Sequence, residues 1–210
     1  MTPLKDSVRK GIQIEWISVI WMIVEAAVGV LAGLLAHSLA LTAFGLDSVI
    51  EVISGIVLLW RLYVELNGGS KERVERAERR ASAIVGGLLL LLAVYILIAS
   101  LFKLFHHQSA DTSWLGLGLA VVSAIWMPIL SKSKVRIGAQ IGSAALRADG
   151  GCSMVCAYMA WVLLGGVALT ALFGWWWIDS IAALGLIYFV VSEGWEAIQE
   201  ARGIEDDDDD

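Results

Sequence analysis

The sequence predicts an all-α membrane protein, a six-transmembrane-helix bundle with both termini cytoplasmic. Three observations predict it. Hydrophobic residues make up 58% of the 210 positions and the mean hydropathy is +0.75, well above a water-soluble domain. Six apolar stretches, at residues 13–35, 39–63, 82–105, 113–131, 146–172 and 176–196, can each cross a hydrocarbon core of about 30 Å at about 1.5 Å per residue. Of the 15 lysines and arginines, all but Lys103 lie on one side of these spans, which the positive-inside bias assigns to the cytoplasm.

Each element follows in order. The first stretch has no small-residue cleavage site and runs almost directly into the second, so it reads as a spanning helix rather than a removable signal. The second contains "TAFGLDSVIEVISGIVLLW" (residues 42–60), apolar enough to span yet carrying Asp47 and Glu51. "NGGSKERVERAERR" (67–80) reads as a turn followed by a charged, solvated extension of the third helix. Gly86 and Gly87 in the third helix, and Gly165 and Gly166 in the fifth, permit close helix packing.

In the outer linker "KLFHHQSADTSW" (103–114), His106 and His107 stand near Asp111, but adjacent residues of a helix point to different faces, so these read as interfacial rather than metal-binding. Pro128 is expected near the inner end of the fourth helix, and "SKSKVRIGAQIGSAALRAD" (131–149) as a basic cytoplasmic connection that fixes orientation. Trp175, Trp176 and Trp177 read as an aromatic belt at the outer interface. Residues 1–200 form one six-helix transmembrane domain and 201–210 an acidic tail. Glu205 and Asp206–Asp210 supply six negative charges, which accounts for the whole formal charge of −6.

Ionisable groups at mid-membrane cost at least about 2.5 kcal/mol each, so they normally face a cavity or a partner. Glu25 in helix one, Asp47 and Glu51 in helix two, and Asp149 at the start of helix five are such groups. Asp47 and Glu51 at i, i+4 share a face and repel when both are ionised. No lysine or arginine is expected at their depth, which leaves protons or a cation. In "ADGGCSMVC", Asp149, Cys152 and Cys156 recur at i, i+3 and i+7 as one stripe. Two carboxylates and two thiolates suit a four-coordinate, borderline-soft divalent ion such as zinc. Cysteine is also a common small core residue, but the uncompensated acidic pair favours ligation by at least one of the two. Glu25 has three open readings: support for a ligand, a proton carrier, or a hydrogen bond to a neighbouring helix.

"HSLALTAFGLDSVIEVISG" resembles helix two of the cation diffusion facilitator family, also called the cation efflux family. That family's helix-five motif is usually Ala-Asp-x-x-His-x-x-x-Asp. Here Ala148 and Asp149 match, with Cys152 at the histidine position and Cys156 at the aspartate position. "WWWIDSIAAL", with Asp179 opening helix six, is similar to the family's corresponding segment, and the resemblance covers roughly residues 10–197. It implies a divalent ion bound between helices two and five and exported by alternating access in exchange for protons, in the cell (inner) membrane, by a homodimer. It also marks a departure: most of the family continues into a cytoplasmic metal-binding domain, and the reading here is of a transmembrane domain alone.

The expected function is therefore efflux of a divalent metal cation, zinc or a similar ion. The metal and protons are substrates, membrane lipid is the surroundings, and no catalytic cofactor is expected. The alternative is a metal-binding membrane protein that does not transport, a sensor or an assembly subunit. Nothing points to nucleic acid. No nucleophile with a base, phosphate loop or cofactor box suggests an enzyme, and the cysteines lack the Cys-x-x-Cys spacing of a thiol oxidoreductase.

Overall fold

A computed structural model describes residues 3–67, 71–108, 110–111 and 113–202; the acidic tail and part of the connection at 67–80 lie outside them. The described residues form six helices and no strands: α1 (Pro3–Leu35), α2 (Leu39–Leu66), α3 (Lys71–Phe105), α4 (Trp114–Ile141), α5 (Ala144–Phe173) and α6 (Ile178–Arg202). Each contains a span long and apolar enough to cross a membrane. An even number of spans returns the chain to the side on which it began. Large apolar side chains such as Ile20, Leu91, Ile125 and Leu172 stay exposed, as the outside of a bundle solvated by lipid requires.

The helices pack as three close pairs, α1 with α2, α4 with α5 and α3 with α6. α2 is the central element: 61% of its span is buried inside the protein, against 33–44% for the other five. Its approach to α1 is set by glycine. A Cβ placed on Gly29 would meet Gly45 Cα at 2.9 Å, so the two backbones touch there, two residues before Asp47.

The connection between α4 and α5 is far shorter than the polar composition of residues 131–149 suggests. α4 continues to Ile141 and ends on Gly142, which takes a left-handed conformation (φ 69°) and donates its N–H to the Gly138 carbonyl. Ser143 then caps α5 at once, its hydroxyl accepting from the Leu146 N–H. Pro128 consequently sits near the middle of α4 rather than near its end. Residues 132–141 are helical, and one of their cations turns inward: Lys134 is fully buried among acidic groups of α1 and α5.

At the opposite end, Lys103 is nearly buried rather than free at an interface. Its ammonium donates to the His37 carbonyl at 2.6 Å and to Asp179 Oδ2 at 3.0 Å. Asp179 also accepts from the Ser38 hydroxyl at 2.5 Å and the Leu39 N–H at 2.8 Å, capping the start of α2 from the start of α6. This knot closes one end of the bundle. Nearby, Trp175 stacks between Phe173 and Trp177, and Trp176 lies against His107, while His106 stacks on Phe102.

Candidate metal centre

The central position of α2 turns its Asp47 and Glu51 face toward α5. Atoms of Asp47, Glu51 and Cys156 able to bind a metal lie within 4.8 Å of one another, and all three residues are buried. The Cys156 thiol donates to Glu51 Oε2 at 3.2 Å. Both carboxylate oxygens of Asp47 and the Oε1 of Glu51 have no hydrogen-bond partner among the described residues. Buried polar atoms are overwhelmingly paired in folded proteins, so three orphaned carboxylate oxygens at one point are a deficit that either protons or a cation would remove. Donor atoms around a tetrahedral zinc are separated by about 3.3–3.8 Å, which small side-chain rotations reach from this arrangement.

The other expected residues divide. Cys152, one turn before Cys156, lies outside the three-residue group and lines a cavity of about 440 Å³ that α2, α3, α5 and α6 enclose. Asp149 lines the same cavity but accepts a hydrogen bond from Lys134 Nζ, and Glu15 Oε2 lies 3.2 Å from that ammonium. Glu25 is fully buried; its Oε1 accepts from the Ser123 hydroxyl of α4, and its Oε2 has no partner among the described residues. Of its three readings, a hydrogen bond to a neighbouring helix is present. The remaining oxygen leaves a supporting or proton-carrying role compatible.

Three residues that shape the surroundings escape the sequence reading. Glu15 and Glu193 both fall inside predicted spans, so the rule that singled out Glu25 and Asp47 also applies to them. Lys134 sits in a run with Lys132 and Arg136, and nothing local distinguishes the inward cation from its exposed neighbours. Only the helical phase of α4, fixed by packing, separates them.

Residues 16–204 match the cation efflux transmembrane domain. The chain belongs to the cation efflux family. As a member with six spanning helices, it is a multi-pass integral membrane protein. This cation efflux protein is 27% identical over 166 residues to an uncharacterised transporter of Synechocystis sp., covering 78% of this chain and 54% of that protein. It is 23% identical over 199 residues to a manganese efflux system protein of Bacillus subtilis, covering 93% of this chain and 68% of that one. Transmembrane protein 163 of Xenopus laevis is 23% identical over 187 residues, covering 89% of this chain and 65% of that protein. The chain thus spans from 54% to 68% of the lengths of these relatives.

Proposed function

We propose that this cation efflux protein exports a divalent transition-metal ion, zinc in the first instance, from the cytoplasm in exchange for protons. One observation carries the reading: Asp47, Glu51 and Cys156 converge in the bundle with three carboxylate oxygens unpartnered. Two oxygen donors and one sulfur donor suit a borderline ion of modest size. Cys152 and Glu25 serve as additional ligands or supports, and Asp149, held by Lys134, as a support on the cavity wall.

Metal and protons compete for the same atoms, because a carboxylate or thiol binds metal only after losing its proton. Exchange of one for the other follows from the ligand chemistry. The basic connections and chain ends orient the cavity toward the cytoplasm, with the Lys103–Asp179 knot closing the outer end. The same reading takes residues 1–200 as the transmembrane domain of a cell-membrane protein and proposes a homodimer as its working form.

Manganese is a second reading, favoured by the name of the Bacillus subtilis relative and by the two carboxylates, since oxygen donors suit that harder ion. The test is flux into proteoliposomes containing the purified chain, with zinc or manganese outside and a pH gradient imposed. Zinc uptake coupled to proton movement, lost in Asp47→Ala, is the expected result. Flux of manganese alone selects the second reading. Tight metal binding without flux selects a sensor or assembly subunit.

A further inference from the structure

The cavity of about 440 Å³ is larger than a three-ligand site needs, with room for several waters. Asp47 and Cys156 are not on its wall, whereas Glu51 and Cys152 are, so Glu51 belongs to both the cavity and the deeper group. Glu193 of α6 also lines the cavity. It is 6% exposed, and its Oε1 has no hydrogen-bond partner among the described residues. A carboxylate buried this far and left incompletely paired is costly to keep. Asp149 and Glu196 add acidic groups to the wall, and Arg61 is its basic residue.

We propose that Glu193, together with Cys152 and Glu51, holds a second divalent cation in this cavity, one step short of the Asp47–Glu51–Cys156 group. The proposal rests on the transport reading above. Glu193 and Cys152 stand outside the 4.8 Å cluster, so this ion keeps part of its water shell, which the cavity volume accommodates. Passage to the deeper position then exchanges like for like. Cys156 replaces Cys152 one helical turn along α5, Asp47 replaces Glu193, and Glu51 remains attached throughout. Dehydration of the ion is divided into two smaller steps.

The test is a titration of the 210-residue chain in detergent with Cd²⁺ alone, following stoichiometry by equilibrium dialysis and thiolate ligation by charge-transfer absorbance. Wild type is expected to bind two ions per chain, one tight and one weaker. Glu193→Gln should weaken the second class at least about tenfold, the scale on which outer partners of a metal act, and leave the first in place. Asp47→Asn should do the reverse. Cys156→Ser should retain part of the charge-transfer absorbance through Cys152, and Cys152→Ser probes the same position should Glu193→Gln not fold. A single ion per wild-type chain, or two unaltered classes in folded Glu193→Gln or Cys152→Ser, overturns the second position and leaves the transport reading standing. No binding by wild type overturns both.

Discussion

Two buried acidic clusters lie in the same bundle and are solved differently. In one, Glu15 of α1 and Asp149 of α5 enclose Lys134 of α4, a positive charge supplied by the chain itself. In the other, Asp47 and Glu51 face Cys156 with no basic side chain among their hydrogen-bond or ion-pair partners in the described residues, and three of their oxygens are unpaired. Burial cost is common to both, so the difference lies in what offsets it. A permanent internal cation makes the first cluster a fastening between helices. Its absence from the second leaves a position that an exchangeable cation or protons must fill, which is what a transport site requires.

The largest expected effect comes from breaking the compensated cluster. Lys134→Met leaves the buried Glu15 and the half-buried Asp149 without a counter-ion, a loss of about 3–5 kcal/mol, and should abolish recovery of a monodisperse species by size exclusion in detergent. Changing all three residues together (Glu15→Gln, Lys134→Met, Asp149→Asn) should restore much of it. The opposite pattern is expected at the uncompensated cluster. Asp47→Asn should leave the metal-free melting temperature unchanged or higher, while removing the stabilisation expected of zinc on wild type, about 2.7 kcal/mol at a hundredfold excess over Kd. Thermal melts with and without zinc check both halves.

The knot at the far end supplies another compensated acid and sharpens the contrast. Asp179→Asn loses charge-assisted bonds to Lys103 and Ser38 and should destabilise by about 1.5–3 kcal/mol, equally with and without metal. Proton competition probes the uncompensated cluster. Acid protonates the ligands and opposes metal, so zinc affinity should rise with pH, by up to about tenfold per unit for each proton displaced, with a shallower slope in Asp47→Asn. Isothermal titration across a pH series measures it. Ser123→Ala should have the smallest effect, about 1 kcal/mol from the lost bond to Glu25, read from the melting temperature.

The long apolar runs made the number and order of helices readable directly, because spanning a bilayer imposes a length and a composition on each segment separately. The i, i+4 spacing of Asp47 and Glu51 likewise placed them on one face before any partner was known. The cysteine stripe was less decisive. Helical spacing aligns Cys152 and Cys156, yet the crossing of α2 and α5 admits only Cys156 to the acidic pair and leaves Cys152 on the cavity wall. Lys134 shows the sharper gap, since a residue resembling a cytoplasmic loop cation is fully enclosed.

Local chemistry, then, determined the spans and the acidic pair: hydrophobicity, helical period and the cost of intramembrane charge act within a few turns of chain. The pairing of charges was decided by tertiary structure alone. Which carboxylate meets an ammonium, a thiol or an empty volume depends on helix rotation and crossing, set by contacts between different helices such as Gly29 of α1 against Gly45 of α2.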